Sequence, residues 1–100
     1  MFLNRGKREN VKKIFTTEEA KEIAKKLKID FNSSKFNLHQ FLMGINVELE
    51  HGTRFPNANV TNDNPILTGK IALAHLLEFP DYYTRLKKLE DEAKAYWEKK

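Results

Sequence analysis

The sequence predicts an all-α fold: a small single domain of about four helices, packed like a bundle. Three observations carry that prediction. Helix-start signals recur along the chain, each is followed by apolar residues at helical spacing, and no segment alternates apolar and polar residues as a half-buried strand would. One hundred residues suffice for one hydrophobic core and not for two. With 40% hydrophobic and 32% charged residues, the composition is that of a globular domain. The absence of cysteine excludes disulfides, thiolate nucleophiles and thiolate metal sites. No run approaches the roughly 18 apolar residues of a membrane span, and Met1 to Phe15 lacks the apolar centre of a secretory signal. The expectation is a soluble intracellular protein.

Positive charge collects at the start. Arg5, Lys7, Arg8, Lys12 and Lys13 against Glu9 give 5 − 1 = +4, while the remaining 13 basic and 13 acidic residues cancel. Residues 1–15 therefore read as a basic arm and residues 16–100 as the helical domain. Those five cations are the candidates for nucleic-acid contact, and no nucleic-acid motif accompanies them. Phe2, Leu3, Val11, Ile14 and Phe15 also allow an amphipathic lead-in. A solvated or loosely docked terminus is the plainer reading.

The first helix opens at Thr16 or Thr17. Thr16 and Glu19 have capping-box spacing, and Phe15 can staple onto Ala20. Ala20, Ile23, Ala24 and Leu27 then form a narrow apolar stripe among lysines and glutamates, ending near Lys28 ahead of the turn-rich IDFNSSK. The second helix repeats this grammar, with Asn37 as cap, Gln40 at the third position and Phe36 stapling onto Phe41. Its stripe is Leu38, Phe41, Leu42, Ile45 and Leu49, with Gly52 as terminator. Gly44 lowers helix propensity and points to close approach of another backbone.

Asn64 caps and Pro65 begins a third helix after the loop GTRFPNANVTND. That loop lacks the ligand alternation and closing glutamate of a calcium-binding loop, so its Asn and Asp residues are assigned to turns. Helical spacing puts Leu67, Ile71, Ala74, His75 and Glu78 on one face, expected to be buried. Phe79-Pro80-Asp81 makes a corner, with Asp81 as cap. A fourth helix then carries Tyr82, Leu86, Leu89, Ala93 and Tyr96 inward, with Trp97 covering the core edge.

Glu48-x-x-His51 and His75-x-x-Glu78 are mirror images in sequence. If the second and third helices run antiparallel, their four N and O donors converge on a site suited to zinc, iron or manganese. Ferritin-like di-metal bundles need two ExxH pairs of the same sense and further glutamates, so a mononuclear site, or one completed across a homo-oligomer, is the metal version that fits. The competing reading is structural: His75 shares protons with Glu48 or Glu78 in a network that fixes helix register, and Tyr82 and Tyr83 bond to it. No nucleophile with an adjacent base is visible. Thr68 and Thr84 have polar neighbours but no triad spacing, so a reaction cannot be named.

VELEHG at Val47 to Gly52 and TNDNPILTGKIALAHLLEFPDYYTRL at Thr61 to Leu86 resemble an uncharacterised family of bacteria, their phages and large DNA viruses. The resemblance spans about residues 31–93. Its signature falls on Glu48, Glu50, His51, His75, Glu78, Pro80, Asp81, Tyr82 and Tyr83, with Asn64 where the family often has aspartate. It implies no activity, but it adds Glu50, Asp81, Tyr82 and Tyr83 as accessory site residues. Three functions remain in play: a metal-binding helical domain; a noncatalytic viral or phage accessory or virion-associated module with a protein partner; and a weak nucleic-acid binder through the basic arm.

Overall fold

The computed structural model describes residues 14–52, 57 and 59–99, with the backbone alone at His51. Most of the basic arm, including Arg5, Lys7, Arg8, Lys12 and Lys13, lies outside the described residues. The helices are α1 (Thr17–Lys26), α2 (Leu38–Glu48), α3 (Pro65–Glu78) and α4 (Tyr82–Glu98), and α2 runs on into a 3₁₀ turn at Leu49–His51. Among the described residues there is no strand. The fold is all-α, a small single domain.

Helix α1 begins with the expected capping box: Thr16 N–H donates to Glu19 Oε1 at 2.9 Å, and Glu19 N–H to Thr16 Oγ1 at 3.2 Å. Phe15 is buried with Ala20, and its N–H donates to Asn46 Oδ1 at 2.6 Å, which ties the entry of α1 to α2. The helix stops at Lys26. Lys28 then takes the left-handed conformation (φ 61°), its N–H bonding Lys25 O while Ile29 N–H bonds Ala24 O. This is a Schellman ending built on lysine instead of glycine. Asp30 organises the following turn, accepting the Asn32 N–H at its carboxylate and the Ser34 hydroxyl at its carbonyl.

Asn37 caps α2 by accepting the Gln40 N–H at 2.9 Å, while the Gln40 side chain reaches across to Thr84. Phe36 and Phe41 are both buried, with Phe31 edge-on to the first at 6.0 Å and tilted on the second at 6.1 Å. Gly52 does not end the helix through a left-handed turn, since its φ is −102°. The Asp63 carboxylate occupies the space a side chain there would need, closing the α2–α3 loop on itself.

Asn64 Oδ1 caps α3 through the N–H groups of Ile66 and Leu67, with Pro65 in the first turn. The buried face differs from the expected one. Thr68, Gly69, Ala72 and Leu76 are inward, whereas Leu67, Ala74 and Glu78 are exposed and Ile71 and His75 half-buried. The helix is apolar nearly all round, so hydrophobicity does not select a face. Packing does: a Cβ at Gly69 would lie 2.6 Å from Ile23 Cγ2, and this close approach turns Gly69 toward α1.

Helix α4 also departs from expectation. Tyr83 is buried and Tyr82 and Leu86 are half-buried, but every residue from Lys87 to Lys99 is exposed. Leu89, Ala93 and Tyr96, expected to face inward, are exposed. Trp97 is 69% exposed and sits edge-on to Tyr96, away from the core it was expected to cap.

Candidate functional site

The site forms where α2, α3 and the first turn of α4 meet. On α2, Gly44 and Glu48 are one turn apart on the same face. The ring of Tyr83 lies against Gly44 so closely that a Cβ there would be 2.5 Å from Tyr83 Cε2. The glycine therefore accommodates a tyrosine ring, where the spacing had suggested a backbone. That seating brings the Tyr83 hydroxyl to Glu48 Oε2, to which it donates at 2.6 Å. Glu48, outside the predicted apolar stripe, is 4% exposed and thus buried. Burial, then the hydrogen bond to Glu48 and its charge, push the Tyr83 phenol far above its ordinary value, so it remains a proton donor.

His75 reaches the same carboxylate from α3. Its Nε2 stands 3.7 Å from Glu48 Oε2, and its Nδ1 3.4 Å from Glu78 Oε1. Tyr82 stacks on the imidazole at 4.5 Å with planes 10° apart, and Tyr83 meets its edge at 6.1 Å. The ring is thus oriented by two aromatics and flanked by two carboxylates. A neutral imidazole has one N–H and one lone pair. With a carboxyl group at each nitrogen, the ring nitrogen that carries no proton is satisfied only where its partner carboxyl is protonated or a cation, a second ring proton or a metal ion, lies between.

The structure brings Glu48, His75, Glu78, Tyr82 and Tyr83 together, with Glu48 buried and Glu78 at the surface. The side chain of His51 lies outside the described residues; its backbone belongs to the 3₁₀ turn just past Glu48. Glu50 is exposed and lines a shallow groove with His39, Met43 and Asn46. Asp81 is at the α4 cap position without making a side-chain cap bond. Its carboxylate accepts from Arg85 Nε at 2.8 Å, and that bond holds its pKa below the ordinary value. Among the described residues, no group of three or more His, Asp or Glu side chains is arranged to hold a metal ion. No described helix is long and apolar enough to cross a membrane.

From the sequence, Tyr82 and Tyr83 were expected to bond to the His/Glu network; Tyr83 does so through Glu48, and what was not foreseen is the seat of its ring on Gly44 and the stacking of Tyr82 on His75. The adjacent tyrosines after the Pro80 corner were the available signal: consecutive helical positions point about 100° apart, so one ring plugs Gly44 while the other covers His75.

Fold and site define a small all-α domain with a histidine–carboxylate–tyrosine cluster at a three-helix junction. The chain matches, over residues 20–92, the model of a family described as a protein of unknown function, DUF5661, and it belongs to that family. No curated protein and no solved structure matches it.

Proposed function

We propose that this domain binds a divalent cation of the zinc, iron or manganese kind, with His75 Nε2 and Glu48 as ligands. The observation that supports this reading is the 3.7 Å gap between those two atoms. It is too long for a hydrogen bond, yet within the span of two donors each about 2.0–2.2 Å from one ion. Glu78 at Nδ1 takes the part of the carboxylate that orients a ligating histidine, and Tyr83 holds Glu48 in place. His51 is the third donor offered by the sequence. A bound ion would stabilise the junction of α2, α3 and α4 and could polarise a water at the surface-facing side of His75.

Elemental analysis of untagged protein purified without chelator tests this, together with melts before and after EDTA and after added zinc. Near-stoichiometric metal and a melt lowered by EDTA are expected, and both are lost in His75→Ala. Metal-free protein that ignores EDTA and zinc would refute the site.

The second reading is a noncatalytic interaction module, an intracellular accessory protein of a virus or phage or a virion component, in which the cluster only pins α4. The buried Tyr83–Glu48 bond favours it, since that bond joins α4 to α2 without any ion. Nucleic-acid binding through the arm would appear as salt-dependent retention on DNA, abolished by deleting residues 1–15.

A further inference from the structure

A groove of about 410 Å³ lies between α1 and the first turn of α3. Among the described residues, Phe15, Ile23 and Ile66 supply its apolar lining, and Glu18, Glu19 and Glu22 stand along it, with Lys26 at the end away from Phe15. Glu19 already accepts the Thr16 N–H in the capping box. Glu18 and Glu22, one helical turn apart and exposed, are in no ion pair among the described residues. Like charges at that spacing repel, and a cation beside them relieves the repulsion. The groove therefore fits an occupant that is both apolar and cationic.

We propose that this occupant is the chain's own basic segment, residues 1–13. The described chain begins at Ile14, beside Phe15, so the segment leaves from the edge of the groove. Its five cations against one glutamate complement the carboxylates, and Phe2, Leu3 and Val11 supply the apolar part. Its length suffices. The ten residues of α1 extend about 15 Å, and thirteen residues span about 20 Å even at the helical rise of about 1.5 Å each.

Charge selects this groove over the other one within reach. The Phe15 N–H donates to Asn46 Oδ1 at 2.6 Å, and Asn46 Nδ2 donates to Phe15 O at 3.3 Å. Asn46 in turn lines a groove on α2, also of about 410 Å³, whose ionisable groups are Glu50 and His39. Volume does not separate the two, whereas three carboxylates stand along the first and one along the second. Exposed ion pairs are weak between separate molecules, but the tether at Phe15 makes the contact intramolecular and raises the effective concentration of the segment. The docking does not depend on what His75 and Glu48 hold.

The chain has no cysteine, so Asn10→Cys provides a single attachment point for a nitroxide, and paramagnetic broadening of the amide resonances of the full chain tests the proposal. Lys26 and Ile66, at the α1 groove, are expected to lose intensity, and Met43 and Glu50, at the α2 groove, to keep most of theirs. Glu18→Lys with Glu22→Lys should abolish that asymmetry, while Glu90→Lys with Glu92→Lys on α4 should leave it unchanged. All four glutamates are exposed, and the dispersion of the remaining resonances reports that the fold is retained. Equal broadening at both grooves, a preference for Met43 and Glu50, or broadening at neither overturns the proposal. An asymmetry that survives reversal of Glu18 and Glu22 overturns it too. Broadening that passes to chains without nitroxide in a mixed sample assigns the groove to a second copy and likewise overturns it.

Discussion

The two ends of α4 share one pattern and meet different fates. At the first turn, Tyr83 is buried against Gly44 and bonded to a buried carboxylate; four turns later, Trp97 is in solvent. Both ends display large aromatics on an amphipathic helix. The difference lies in what the rest of the chain brings to meet them. α2 and α3 reach the start of α4, and nothing described reaches past Leu86. Amphipathicity marks the face a helix would bury, and only the other elements decide whether the same molecule supplies the cover.

The largest expected contrast comes from truncating the two ends. Tyr83→Ala removes a fully buried ring and should lower stability by about 3–5 kcal/mol, whereas Trp97→Ala should change the monomer by about 0.5 kcal/mol or less. Urea unfolding at low protein concentration measures both. Equal effects would mean that α4 is packed along its whole length.

Gly44→Ala sharpens the contrast from the other side. Helix propensity alone would favour alanine by up to about 1 kcal/mol, but the added Cβ meets the Tyr83 ring, and the net result should be a loss of about 1–3 kcal/mol. The loss should shrink when Tyr83 is replaced by leucine in a double-mutant cycle. If Gly44→Ala stabilises the protein, the ring is not seated there.

Tyr83→Phe keeps the ring and removes the hydroxyl, leaving the buried Glu48 without that donor, for an expected loss of about 1–3 kcal/mol in chemical denaturation. The metal reading adds a second consequence, a weaker zinc-induced rise in melting temperature. Lys28→Gly, remote from both ends, should raise stability by up to about 1 kcal/mol in the same assay, because glycine takes the left-handed conformation without strain.

The smallest effect belongs to Asp81. Arg85 lowers its pKa in the folded state, so the unfolded chain binds more protons near the ordinary value of 3.8. The stability it contributes is present above that pH and falls away as pH drops through the lowered folded value. Asp81→Asn should flatten that acid limb slightly and leave the neutral-pH melt almost unmoved.

Much of the fold was legible because its signals are local. Thr16 with Glu19, Asn37 with Gln40, and Asn64 with Pro65 each start a helix through groups within a few residues of one another. The face of α3 was not legible. An almost uniformly apolar helix is oriented by its packing, and the determinant, Gly69 against Ile23, lies 46 positions across the sequence. The candidate site divides in the same way. His75 and Glu78 meet as i,i+3 neighbours, as spacing requires. That Glu48 is buried and Glu78 exposed follows from α4 closing over one carboxylate and not the other.

The seating of Tyr83 also sets the dynamics of the domain. Within the described residues α4 packs on the body through Tyr82, Tyr83 and Leu86, and a 17-residue helix released from those contacts has little to sustain it in water. Undocking of α4 should therefore be the lowest-lying cooperative opening of the molecule, well below global unfolding. In native-state hydrogen exchange, the amides of α4 would then form one isotherm, separate from the slow core of α2 and α3, and substitutions at Gly44 would move that isotherm first.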